Sequence, residues 1–482
     1  MPRTVLLGTI SSVYHDWVPY AVGCLISHCM KNPNIRENYT FMDPEFRSDW
    51  DTPELHEKLK QADILGLTCY VWNQVANDKI AQIYKEYRPD GVVLYGGPNV
   101  PEENLEQFSK ERPYIDHFIT GPGELKFEKF LDPTADSEYA IPTPYTDGLF
   151  DDIIEDNFVA FETNRGCPYG CSFCDWGGVA RSKITKASVE DTHATIEHIL
   201  KLKPKRLEIL DANFGIFERD LQFVQHIVDH KQRDDMWLTF AGFAKNGSKW
   251  LPDIMNLTMD NFNDKLRNIK ISLQTLSPEV LKTIDRSNIK PEKLLGIIDQ
   301  LENIDISSEL IIGLPGETPE SWTDTLRQHK ELGIRFGRGY PLYVLPNTPM
   351  ASQEHRDKYG IKTKRLKLPN GETFEMIYEC FSYGPQELKE IYLIWNKFNT
   401  FYNFFGEEWE RDFPPEMRIH EVEEALDRIF KPEEEYLLQG FDYEFLHKSL
   451  GRGKELEYMK ESGLWGINNN DNELRSPFAC LK

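Results

Sequence analysis

The chain has 482 residues and 40% hydrophobic content, enough for two or three domains with ordinary cores. Its 79 acidic residues against 55 basic ones give a formal charge of −24, which repels phosphate backbones and anionic bilayers, so neither nucleic acid nor membrane is expected as a principal partner. Eight cysteines without a disulfide framework, with no signal-peptide pattern or bilayer-spanning run, point to a reducing cytoplasm and a small-molecule, peptide or carrier-bound substrate.

Residues 4–10 read as a first strand and 20–30 as an apolar-periodic helix. Apolar runs at 39–42, 64–68, 92–95 and 117–120 then alternate with helical patterns at 53–61 and 74–87, which predicts a doubly wound parallel sheet over 1–135 with its ligand beyond the carboxyl ends of the strands. Thr68 closes one such strand, and glycines gather at the next two ends, in Gly96-Gly97-Pro98 and Gly121-Pro122-Gly123-Glu124. They suit tight turns or close approach of a ligand to the backbone. Asp132-Pro133, Pro142-Thr143-Pro144 and the acidic stretch at 151–156 mark a surface linker over 136–156.

A second α/β unit is expected over 157–350. Its first strand, Phe158-Val159-Ala160-Phe161, leads into Arg165-Gly166-Cys167-Pro168-Tyr169-Gly170-Cys171-Ser172-Phe173-Cys174. Three thiolates spaced C-x3-C-x2-C can hold three corners of a four-iron four-sulfur cluster and leave the fourth iron open, whereas a closed zinc site would need a fourth nearby ligand. Five more apolar runs, at 206–210, 237–241, 270–273, 310–312 and 340–345, make six strands, too few for an eight-stranded barrel. His226 and His230 stand four apart on a predicted helix and read as a solvated face, because the pattern implies neither a catalytic carboxylate base nor an open cleft beside them. From 351 onward the pattern is mainly helical, with Leu388, Ile391, Tyr392, Trp395, Phe398, Tyr402 and Phe405 at helical spacing. Cys480, in the tail, reads as an idle thiol.

The cysteine spacing, with aromatic Phe173 before the third cysteine, closely resembles the signature of the radical SAM superfamily, and residues 4–130 resemble its cobalamin-binding domain. The resemblance implies a flavodoxin-like, Rossmann-like α/β domain, a partial (β/α)6 TIM-type barrel and a helical C-terminal region. It also implies three cofactors, a 4Fe-4S cluster on Cys167, Cys171 and Cys174, S-adenosylmethionine, and cobalamin. By position it nominates Asp211 and Asn213 for the methionine amino group, although the usual Gly-Gly-Glu is absent. Ser272 and Gln274 fall to the ribose, Arg286 to the methionine carboxylate, and Gly313 and Glu317, in Glu309-Leu310-Ile311-Ile312-Gly313-Leu314-Pro315-Gly316-Glu317, to the adenine. Phe173 joins this set. Thr68, Gly96, Gly97, Gly121 and Gly123 would border cobalamin, with His15 where a cobalt-ligating histidine stands. There the family's D-x-H-x-x-G has become Val13-Tyr14-His15-Asp16-Trp17-Val18, which removes the carboxylate that orients the imidazole and leaves the lower ligand in doubt. The activity implied is reductive cleavage of S-adenosylmethionine to a 5'-deoxyadenosyl radical, fed by an external low-potential electron donor, and methylation of an unactivated carbon. The alternatives are a radical SAM oxidoreductase, cyclase or rearrangement enzyme without methyl transfer, and an iron-sulfur redox or sensor protein.

Overall fold

The computed structural model describes residues 2–10, 17–47, 49–155, 157–176, 184–243, 247–262, 268–301, 304–334, 336–399, 419–431 and 435–438. His15, Tyr402, Phe405 and Cys480 lie outside the described residues.

Strands β1 (Arg3–Gly8), β2 (Tyr39–Phe41), β3 (Ile64–Thr68), β4 (Val92–Gly96) and β5 (His117–Ile119) form one parallel sheet in the order β2-β1-β3-β4-β5. Successive strand residues point to opposite faces, and here both faces are apolar. Val5, Leu7, Ile64 and Leu94 pack on one side with the helices Tyr20–Cys29 and Gly123–Leu131, while Leu6, Leu65, Val93 and Tyr95 pack on the other with Pro53–Gln61 and Gln74–Tyr87. Helices therefore cover both faces, and the strand order is flavodoxin-like. Cys24, Cys29 and Cys69 are buried in this unit, and burial pushes all three thiols upward, Cys24 to about 12. They are packing groups.

The segment 136–156 is held down rather than free. Tyr145, Phe150 and Ile154 are buried, and the Tyr145 hydroxyl donates to the Ala160 carbonyl at 2.6 Å. Proline spacing in the sequence shows the turns but not these three anchors.

The second unit begins at β6 (Phe158–Phe161), followed by an antiparallel pair of two-residue strands, β7 (Asn164–Arg165) and β8 (Thr185–Lys186). Strands β9 (Arg206–Ile209) and β10 (Trp237–Phe240) join β6 in a parallel sheet of order β10-β9-β6. Strands β11 (Asn268–Gln274), β12 (Asp305–Ile312) and β13 (Phe336–Pro341) form another of order β11-β12-β13. These are the six expected strands, all parallel to their neighbours, in two groups of three. An isolated parallel bridge from Phe214 to Phe243 lies just past β9 and β10.

The C-terminal region carries an element absent from the sequence-based expectation. Strands β14 (Tyr343–Val344), β15 (Lys362–Lys367), β16 (Thr373–Glu379) and β17 (Glu435–Leu437) make a four-stranded sheet beside the expected helices Pro385–Phe398 and Ile419–Ile429. Pro385–Phe398 packs on Pro319–Glu331 through Trp395 and Trp322, both fully buried, and so covers the outer side of β12 and β13.

Candidate functional site

The cysteine loop is fixed at several points. Gly166 bends into it with φ at +106°, a region an L side chain rarely enters. The Ser172 N–H donates to the Ile284 carbonyl at 2.9 Å, the Ser172 carbonyl accepts from the Met350 N–H at 2.9 Å, and Cys174 N–H closes a turn on Cys171 at 3.1 Å. Cys167 and Cys171 are buried, Cys174 is half-buried, and none is in a disulfide. Phe173 packs against the core beneath β11–β13.

Two side chains aim N–H donors at the sulfurs. Asn213 Nδ2 lies 3.1 Å from Cys167 Sγ, and Arg286 Nη1 lies 3.7 Å from Cys171 Sγ. Donors toward sulfur favour charge on an iron-sulfur cluster, so this environment suits three thiolates holding one. Asn213 Oδ1 and Gln274 Oε1 are buried without a hydrogen-bond partner at the carboxyl ends of β9 and β11. Gln274 also sits at φ +66°, where β11 bulges against β12. Buried acceptors cost free energy unless something donates to them, so they suit a polar ligand between the two groups of strands.

Other expected positions have different surroundings. Asp211, expected at a ligand amino group, instead takes bonds from Thr163 N (2.7 Å), Asn164 N (3.0 Å) and Asn164 Nδ2 (2.6 Å), and its Oδ2 lies 2.5 Å from Thr163 Oγ1. It braces the base of the cysteine loop. Burial nonetheless pushes its carboxyl up to about 7 against these donors. Glu317, expected beside the adenine, is fully buried behind the strand ends, bonded to Ser321 Oγ at 2.6 Å and Thr275 Oγ1 at 3.4 Å, and burial pushes it up to about 7 as well. Both were nominated by the position of their segments in the family resemblance. Which neighbours they bond is a tertiary matter.

Ser272 faces inward and donates to Glu309 Oε2 at 2.9 Å, while Lys270 Nζ and the Tyr340 hydroxyl lie 3.3 and 3.5 Å from Glu309 Oε1. Arg286 donates to the Ser272 carbonyl and, at 2.8 Å, to Asn288 Oδ1. Asn288 in turn donates to the Leu273 and Thr275 carbonyls, so it holds the bulge and the arginine together. Gly313 has φ +85°, and its carbonyl accepts from the Tyr383 hydroxyl at 2.6 Å.

In the N-terminal sheet, Thr68, Gly96, Gly97, Gly121 and Gly123 all stand at the carboxyl edge. Thr68 Oγ1 is buried without a hydrogen-bond partner. Gly97 has φ +106°, and a Cβ there would come within 2.8 Å of the Cys69 carbonyl, so glycine is required by backbone packing.

This edge is tied to the second unit and the C-terminal region after three successive strands. Beyond β3, the Val75 N–H donates to Glu372 Oε1 at 2.9 Å, and Tyr70 and Trp72 stack at 4.5 Å, with Trp72 against the core of the second unit. Beyond β4, Asn347 bonds the Pro98 and Val100 carbonyls at 2.8 and 2.9 Å and accepts from the Glu102 N–H at 2.9 Å. Beyond β5, Glu124 pairs with Arg165, two residues before Cys167. Arg165 also bonds Glu162 (2.9 Å from Nε) and the Tyr139 hydroxyl (2.5 Å). Burial works against its charge, but Glu162 and Glu124 prevail and raise it well above the ordinary value. Sequence reasoning missed Arg165, Glu372, Asn347, Tyr70 and Trp72. Only Glu124 carried a signal, as the last residue of its glycine loop.

Residues 161–329 match the model of the radical SAM superfamily. Over 414 residues the chain is 31% identical to the cobalamin-dependent radical SAM methyltransferase TokK of Streptomyces tokunonensis, covering 76% of this chain and 60% of that protein. It is also 31% identical to the 2-(S-pantetheinyl)-carbapenam-3-carboxylate methyltransferase of Streptantibioticus cattleyicolor, covering 77% and 61%. The chain thus spans about three fifths of the length of these curated relatives. In fold it resembles the radical S-adenosylmethionine methyltransferase TsrM of Kitasatospora setae, solved with cobalamin and a [4Fe-4S] cluster, with a TM-score of 0.62 at 14% identity, covering 100% of this chain and 98% of that one. The chain belongs to the radical SAM superfamily.

Proposed function

We propose that this protein is a cobalamin-dependent radical SAM enzyme, most simply a C-methyltransferase acting on an unactivated carbon of a small-molecule or peptide substrate. It would work in the cytoplasm with an external low-potential electron donor. The observation that carries the reading is the meeting of two strand-end rims, because Glu124, in the loop after β5, pairs with Arg165 at the mouth of the cysteine loop. The two curated methyltransferases at 31% identity support the same reading. No helix among the described residues is long and apolar enough to cross a membrane.

When bound, these cofactors would supply one-electron cleavage of S-adenosylmethionine and a transferable methyl group. In this proposal Cys167, Cys171 and Cys174 hold the cluster, while Asn213 and Arg286 favour its reduced form through the N–H groups they aim at sulfur. Asn213 Oδ1, Gln274, Ser272 and the Gly313 turn offer the polar surface for S-adenosylmethionine beside Phe173, and Asp211 and Glu317 hold that frame. The loop edge with Thr68, Gly96, Gly97, Gly121 and Gly123 would receive cobalamin. Alternation along β11–β13 turns Ile271, Leu273, Leu310 and Ile312 toward the packed core and leaves Lys270, Ser272, Glu309 and Tyr340 on the opposite wall. A wall of this kind fits a polar substrate better than an apolar one.

Anaerobic reconstitution with iron, sulfide and hydroxocobalamin, then desalting and assay with S-adenosylmethionine and a low-potential reductant, tests this. Retained corrin absorbance with formation of 5'-deoxyadenosine and S-adenosylhomocysteine is expected. Deoxyadenosine without corrin would remove the cobalamin half and favour an oxidoreductase, cyclase or rearrangement enzyme. Neither product would leave an iron-sulfur redox or sensor protein.

A further inference from the structure

The helices Val189–Lys201 and Glu218–His230 pack against each other in the helical layer that follows β6 and β9. Each presents a pair four residues apart at their contact, His193 with Glu197 on one and His226 with His230 on the other. His226 Nε2 lies 3.2 Å from Glu197 Oε1. Ligand atoms of Glu197, His226 and His230 all fall within 4.8 Å of one another, close enough to share one ion. The carboxylate within reach of both imidazoles comes from the other helix.

The surroundings prepare these groups as ligands. His230 Nδ1 is 2.8 Å from the His226 carbonyl, which can only accept, so Nδ1 carries the proton and Nε2 keeps its lone pair. His193 stacks on His226 with centroids 4.0 Å apart and planes 13° from parallel, and stands edge-on to Phe223 at 5.7 Å, forming a wall on that side. His230 lies against His226 at 4.1 Å.

We propose that Glu197, His226 and His230 form a site for a divalent transition-metal ion of the zinc class, walled by His193 and open to water at its remaining position. Two imidazoles and one carboxylate suit Zn²⁺, Co²⁺ or Ni²⁺ and not Mg²⁺ or Ca²⁺, which prefer all-oxygen shells. Ligation through His226 Nε2 replaces its hydrogen bond to Glu197 as the single proton of the neutral ring passes to Nδ1, with no redox change. The ion fastens the helix after the cysteine loop to the helix after β9, the strand whose end carries Asn213. The site is separate from the cluster loop and independent of the proposed methyl transfer.

The test uses the full chain with its cluster reconstituted, desalted and titrated anaerobically with Zn²⁺ by calorimetry, with metal content counted before and after and cluster absorbance monitored. The parent should take up about one zinc beyond its iron, and zinc should raise its Tm. His226→Gln and His230→Ala should each weaken binding by at least about 100-fold and abolish the Tm increase. His198→Ala, on the same helix as Glu197 but paired with Asp151, should change neither. His230 is exposed, so its variant should keep the parent Tm in zinc-free buffer even if His226→Gln folds poorly. No zinc uptake by the parent, or equal uptake by parent and His230→Ala, overturns the proposal and leaves a stacked imidazole face.

Discussion

The two parallel sheets use their strands in opposite ways. In the N-terminal sheet both faces are apolar and sealed by helices, so only loops at the carboxyl edge remain for binding. In the second unit the outer face of β11–β13 is mainly apolar, with Ser308 bonded to His329 at 2.6 Å, but the inner face carries Lys270, Ser272, Gln274, Glu309 and Tyr340. A strand substitution in the first sheet is thus a packing change, whereas an inward substitution in the second changes the chemistry of the chamber. In the proposed function, one α/β unit would present a ligand with backbone and loops, and the other would meet it with side chains.

The largest effect expected on this contrast is at the cysteine loop. Cys171→Ala should abolish the cluster and all cleavage of S-adenosylmethionine while leaving the N-terminal sheet folded, as read by iron content, product assay and far-ultraviolet circular dichroism. Next comes the junction between the units. Arg165→Met leaves Glu124 and Glu162 without their half-buried partner and should cost about 2 kcal/mol in chemical denaturation. Unchanged stability would mean that the two edges are not coupled there.

A smaller, pH-dependent effect belongs to the contact beyond β3. Burial pushes Glu372 up to about 7 from its ordinary value of 4.5, so the folded protein holds a proton that the unfolded chain releases. Stability from this group is present at low pH and falls as pH rises through the window from 4.5 to about 7, by on the order of 2 kcal/mol. Glu372→Gln, which keeps an acceptor for the Val75 N–H, should flatten that slope in a Tm-against-pH series. The smallest effect is expected at Asn213, where Asn213→Ala removes the donor to Cys167 and should make the cluster harder to reduce. A tenfold change in the one-electron equilibrium, about 59 mV, is the scale to look for by redox titration.

Local pattern made much of this legible. The C-x3-C-x2-C loop, the alternation of strands and helices and the edge glycines depend on residues close in sequence. Long-range partners were not legible. Arg165 meets Glu124 from 41 positions away, and Glu372 reaches Val75 across 297. Asp211 looked available because nothing nearby in the sequence shows that Thr163 and Asn164 surround it. The hairpin of β15 and β16 was missed because Lys362-Thr363-Lys364-Arg365-Leu366-Lys367 lacks an apolar stripe. Lys364 is buried there, and its ammonium donates to the Lys431 carbonyl at 2.6 Å.

The most direct measurement of whether the two edges share one site is electron paramagnetic resonance of protein loaded with both cob(II)alamin and the reduced cluster. Facing edges predict spin–spin broadening and faster relaxation of the cobalt signal when the cluster is reduced, with both effects lost in Cys171→Ala. Two unperturbed, additive spectra would contradict a common site at the junction of Glu124 and Arg165.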